Sequence, residues 1–111
     1  MSLITKILEP DQFNAETIAE LFSSALQIPA IIHNAESIAR YVLNSLESHG
    51  IVNRTEILKP ANFNSTTIAI LMWEQANGPN AWTQGTEAAH MVTIDQSQYV
   101  LDALWRRGII G

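Results

Sequence analysis

A mainly α-helical domain with short β-strands, made of two fused strand–helix–helix units, is predicted by three features of this sequence. The first is an internal match: Thr5–Phe22 aligns with Thr55–Met72 with ten identities in eighteen positions. The second is a further match in the same order, "YVLNSLESHGIV" (Tyr41–Val52) against "YVLDALWRRGII" (Tyr99–Ile110). The third is that these blocks hold helix-start and helix-end chemistry rather than sustained strand alternation. Self-similarity of this kind identifies a duplicated unit before any other pattern is considered. The offsets are fifty and fifty-eight, so the second copy carries eight extra residues between its matched blocks. Repeat 1 falls at about 4–52 and repeat 2 at about 54–110, with the insertion within 74–92. The chain 1–111 reads as a single domain packed about a pseudo-two-fold axis, because a unit this short struggles to bury enough surface alone.

Each unit opens on an aliphatic stretch, "LITKIL" or "RTEIL", halted by Pro10 or Pro60 and expected to be a short strand. A helix start follows. Asn14 and Asn64 are suited to the N-cap, where the side-chain oxygen accepts from a free N–H of the first turn. Phe13 with Ile18, and Phe63 with Ile68, have the spacing of a hydrophobic staple. The first helix then carries Ile18, Leu21, Phe22 and Ala25 on one face, as an amphipathic surface helix does. Its twin, Ile68–Trp73, is apolar nearly all round, with Ile70 where the first copy has Glu20. Such a helix needs cover on every side and is expected to be central or to lie in an interface. The last helix of each unit ends at Gly50 or Gly108, each followed by an aliphatic residue that can fold back on the last turn.

Apolar residues make up 47% and charged residues 15%, the balance of a packed globule rather than a disordered segment. No apolar run is long enough to span a bilayer, and no basic stretch leads into an apolar one as in a secretory leader. There is no cysteine, which excludes disulfides and thiolate metal sites and fits a cytoplasmic location. The net charge of −5 rests on six Lys and Arg against eleven Asp and Glu. So few cations neutralise few phosphates, which disfavours nucleic acid and anionic membrane surfaces.

The stretch "TIAEL…YVLNSLESHGIV…RTEIL" and its partner "TIAIL…YVLDALWRRGII" resemble the core of winged helix-turn-helix domains, in two degenerate copies covering most of the chain. The resemblance implies a DNA-binding transcriptional regulator whose last helix enters the major groove at its exposed start. The corresponding positions are His33, Asn34, Glu36, Ser37 and Arg40, and Thr93, Asp95, Gln96 and Gln98. Exposure of the helix starts at 34–40 and 93–98 decides whether those positions are available. Phosphate contacts and guanine readout draw on Arg and Lys, so one Arg and one His among acids favour a protein-interaction module on the same scaffold. A gathering of Lys6, Arg40, Arg54 and Lys59 on one face would instead favour DNA.

The two copies diverge most in "EQANGPNAWTQGTEAAHMV" (Glu74–Val92). Trp82, between the turn Asn77-Gly78-Pro79 and Gly85, is either a plug closing the core or a loop-borne partner contact. Trp73, Ile70 and Trp105 are the other apolar candidates for partner binding. Arg106 and Arg107 sit where cations favour a helix C-terminus; an anion or acidic partner is the lesser reading. His33 with Glu36, and Glu87 with His90, are three residues apart, the Glu-x-x-His spacing of carboxylate-bridged metal sites. Two further carboxylates are missing from the pattern, so surface side chains at helix starts is the preferred reading and a small metal- or ligand-binding enzyme a second alternative. No nucleophile elbow or phosphate-cradling loop occurs, and no cofactor is expected. The function predicted is a small non-catalytic interaction or assembly module, its partner another protein or a second copy.

Overall fold

The computed structural model describes residues 6–26, 35–53 and 55–111, the side chains of Ala25 and Leu26 apart. Among them are four α-helices: α1 (Ala15–Leu26), α2 (Ala35–Ser48), α3 (Ser65–Asn77) and α4 (Glu87–Arg106). Two 3₁₀ turns, Pro60–Asn62 and Ala81–Gln84, precede α3 and α4. Helix α1 packs on α2 and α4, and α3 packs on α2 and α4. The radius of gyration is 13.1 Å, close to the roughly 13 Å of a compact chain of this length.

The helix starts are made by local chemistry. Asn14 Oδ1 accepts from Thr17 N–H at 2.9 Å, and Asn64 Oδ1 from Thr67 N–H at 2.9 Å. Phe13 and Ile18 are buried, as are Phe63 and Ile68, so both staples close. The two staple phenylalanines also meet each other, with ring centroids 6.4 Å apart. The helix ends match as well. Gly50 and Gly108 have φ of 70° and 73°, the left-handed region that costs glycine nothing. Ile51 N–H then donates to Leu46 O at 2.9 Å, and Ile109 N–H to Leu104 O at 2.9 Å. Gly50 and Gly108 N–H groups take the carbonyls of Glu47 and Trp105. These bonds complete Schellman motifs and bury the isoleucines beyond each glycine.

The expected strands are not formed among the described residues. Three isolated antiparallel bridges stand in their place: Lys6–Glu56, Ile7–Ile110 and Val52–Ile57. Pro10 and Pro60 stop the opening segments soon after the bridged residues, which keeps each pairing short. The backbone bonds are nonetheless well made. Leu8 N–H donates to Ile109 O and Leu58 N–H to Ile51 O, both at 2.8 Å. The first ties the opening of the chain to its last residues; the second ties the opening of the second repeat to the close of the first.

All four helices and these short segments contribute to one hydrophobic core. Helix α3 buries Ile68, Ala69, Leu71 and Met72, while Ile70 and Trp73 are half-buried. Its cover comes from α2, α4 and the Ala81–Gln84 turn.

The largest departure from expectation concerns α4. Residues 93–98 are not a helix start. The helix begins six residues earlier, where Thr86 Oγ1 accepts from Ala89 N–H at 3.2 Å. Thr93 is half-buried, and Ser97 is fully buried. Part of the inserted sequence is therefore helix rather than loop. A threonine N-cap followed by Glu87, Ala88 and Ala89 has the composition for it.

Candidate functional site

The sequence candidates separate into two places along α4. At its N-terminal end, Trp73, Trp82 and His90 form one aromatic cluster. The His90 ring stacks on Trp82 with centroids 3.8 Å apart and planes 12° from parallel. Trp73 meets both edge-on, at 5.8 Å from Trp82 and 5.4 Å from His90. A ring nitrogen of His90, Nε2, lies 2.7 Å from the Trp82 carbonyl oxygen, so the tautomer that protonates Nε2 donates to it. Trp73 Nε1–H donates to Thr93 Oγ1 at 2.9 Å, and Thr93 in turn donates to the Ala89 carbonyl. The three rings are half-buried, and Trp73 Nε1 and His90 Nε2 are engaged within the chain. Trp82 closes the 3₁₀ turn onto α3 and α4 rather than standing free on a loop.

Gly85 is where this cluster is tightest. A Cβ built there would lie 2.5 Å from the Trp73 ring and 2.7 Å from His90 Nε2. Gly85→Ala is therefore expected to destabilise the protein by about 1–3 kcal/mol through overpacking. It should also disturb the stacked pair. Thermal melts with near-ultraviolet dichroism check both; an unchanged aromatic signal would mean the rings are not held as described.

Glu87 is exposed at the first position of α4, while His90, one turn on, is committed to Trp82. Glu36, at the start of α2, is paired with Arg40 at 2.7 Å. His33 and Asn34 lie outside the described residues. No group of three or more His, Asp or Glu able to hold a metal occurs among the described residues. Of the four cations whose clustering would favour DNA, Arg54 lies outside the described residues and Arg40 is tied to Glu36. Lys59 Nζ donates to the His49 carbonyl at 3.4 Å. No helix among the described residues is long and apolar enough to cross a membrane.

About 22 Å along α4 from His90, by the rise of an α-helix, Trp105, Arg106 and Arg107 stand exposed. Trp105 is 60% exposed, the most of any large apolar side chain described. Met91, Val92 and Tyr99 are exposed on the same helix. Met91, Gln98 and Trp105 are spaced by seven, as are Val92, Tyr99 and Arg106, so both rows run along one side. Asp95 and Asp102 lie between them, and Gln98 Nε2 donates to Asp102 Oδ1 at 2.8 Å. The spacing-by-seven signal was present in the sequence but was cut by setting the helix start at 93–98, after Met91 and Val92.

The same side of α2 is different. At the positions matching Trp105, Arg106 and Arg107 it carries Glu47, Ser48 and His49, all exposed. An open groove between α2 and α3, lined by Glu36, Ser37, Arg40, Tyr41, Asn44 and Gln75, flanks it. Tyr41 reaches across toward Glu74, with Oη 3.5 Å from Oε2. Compared with known proteins, the chain matches no family model, no curated sequence and no solved structure.

Proposed function

We propose that this protein is a small non-catalytic interaction or assembly module, built from two related units about a pseudo-two-fold axis, whose contact surface is the outer side of α4. The matched caps, staples, Schellman ends and cross-bonds support the paired-unit reading. Under exchange of the two copies, the Ile7–Ile110 bridge corresponds to Val52–Ile57, and the Phe13–Phe63 contact corresponds to itself. Each unit's opening segment pairs with the other's closing segment, which accounts for the repetition: the partner a short unit needs is attached to it.

The observation that carries the functional reading is Trp105. Large exposed apolar side chains singly are ordinary, but here the repeat supplies a control. Two copies of one helix end face solvent, and one keeps Glu where the other has Trp. Trp and Arg are the residues most enriched where binding energy concentrates, and α4 adds Met91, Val92 and Tyr99 on the same side. The winged-helix reading and a metal- or ligand-dependent activity are the alternatives that one experiment separates.

That experiment is affinity capture from the native host's lysate, with and without nuclease, comparing wild type with a Trp105→Ser/Tyr99→Ser variant. A stoichiometric protein partner that survives nuclease and is lost with the variant is the expected result. Both side chains are exposed, so the variant should keep its stability within about 0.5 kcal/mol. A partner retained by the variant would remove α4 as the contact surface. Recovery only of nucleic acid, or of proteins lost on nuclease treatment, would favour the DNA-binding alternative.

A further inference from the structure

We infer that the C-terminal end of α4 docks an acidic, apolar peptide segment of a partner protein, with an apolar side chain on Trp105 and carboxylates on Arg106 and Arg107. This rests on α4 being the contact surface and adds the chemistry of what covers it.

The usual task of arginines at a helix C-terminus is to satisfy its last carbonyls and oppose its negative end. Here the carbonyls of Leu104 and Trp105 are already taken by Ile109 and Gly108 N–H groups. Neither guanidinium makes a hydrogen bond or ion pair among the described residues, where the one ion pair is Arg40–Glu36. Asp102, one turn before Arg106, accepts from Gln98 instead. Two adjacent arginines without partners are therefore left on a chain of net charge −5. They form the one place in the sequence where two arginines adjoin; the other four of its six Lys and Arg, Lys6, Arg40, Arg54 and Lys59, are not adjacent to one another. Charge complementarity assigns this end to an acidic occupant.

The apolar share of the site is Trp105. Arg recognises carboxylates bidentately, and a Trp face beside it receives an aliphatic or aromatic side chain. The matching end of α2 offers Glu47, Ser48 and His49, so it lacks both the aromatic surface and the arginine pair. An acidic segment is thus directed to one of the two helix ends rather than shared between them.

The test is selection of a random 12-residue peptide display library on the immobilised protein, with individual peptides then measured against wild type, Trp105→Ser and Arg106→Glu/Arg107→Glu. Expected are enriched peptides combining Asp or Glu with a large apolar residue. Their affinity should fall about tenfold or more in the charge-reversed variant, fall in Trp105→Ser, and weaken with salt. Dichroism confirms that both variants remain folded. Enriched peptides that are basic or neutral but still need Trp105 would overturn the acidic assignment while leaving α4 as a contact surface. Peptides indifferent to all three side chains would overturn both. A parallel arm uses vesicles with about a third anionic lipid: binding there through Trp105 and the arginines, with no peptide enriched, would overturn the peptide in favour of a lipid surface.

Discussion

Phe22→Ala is expected to lower the unfolding free energy by about 3–5 kcal/mol, the range for removing a buried aromatic ring. Phe22 is 1% exposed, and its surroundings come from every helix. It lines a small apolar space of about 20 Å³ together with Val42 and Leu46 of α2, Ile68 of α3, and Val100, Leu101 and Leu104 of α4. Truncation would enlarge that space where all four helices converge, and no single helix could shift to fill it without losing contact with the others. Since small domains are stable by only about 5–15 kcal/mol, the variant should have a much lower denaturation midpoint. The second copy carries Met72 at the matched position, buried and accepting a contact from Ser97 Oγ at 3.4 Å. Phe22→Met should therefore cost much less than Phe22→Ala. Urea titration followed by dichroism decides: a loss below about 1 kcal/mol for Phe22→Ala would mean that the two pairs of helices do not share one core.

Removing Ile109–Gly111 is expected to unfold the protein at room temperature or bring it close to that point. Ile109 and Ile110 are 2% and 1% exposed. Burial of two such side chains is worth about 3–6 kcal/mol, a large part of the stability of a domain this size. The deletion also strips partners from the opening segment. Leu8 and Glu9 N–H groups lose the Ile109 carbonyl, and Lys6 and Gly111 lose the two bonds, each 3.0 Å, that they exchange. The Schellman bond to Leu104 O disappears with Ile109. Heat denaturation of the shortened chain should show no cooperative transition, or one far below that of the full chain. Retention of a normal melting temperature would show that the first segment holds without its distant partner.

The parts of this fold that could be read from sequence are those decided within one helical turn. Asn14 and Asn64 cap because their side chains need only reach the N–H three residues on. Phe13 and Phe63 staple, and Gly50 and Gly108 stop their helices, for equally local reasons. The opening strands reduce to isolated bridges among the described residues, which was not legible because pairing depends on what a distant segment offers rather than on the local letters. The start of α4 was set too late, at 93–98, because the repeat match begins only at Tyr99 and the turn signals Gly78, Pro79 and Gly85 lie before it, although Thr86 and the alanines after it suit a helix. The Trp82–His90 stack was not legible, since the two are joined by the path of a 3₁₀ turn rather than by a period. Of the site, Trp105, Arg106 and Arg107 were recognisable as a helix end. Their freedom from internal partners was not, because it follows from which N–H groups claim the carbonyls of Leu104 and Trp105.

The two cross-bonds that hold the opening and closing segments have nearly the same geometry, yet they differ in what the unfolded chain must surrender to make them. Val52 and Ile57 are five positions apart in the sequence, whereas Ile7 and Ile110 are separated by 103. Because loop-closure entropy grows with the logarithm of loop length, the longer closure is less favourable by roughly 2–3 kcal/mol. The short tie can form while the rest of the chain is still searching. The long one becomes favourable once the helices between its ends have docked and shortened the path. One contact geometry thus occurs twice in the molecule, at opposite ends of the folding reaction.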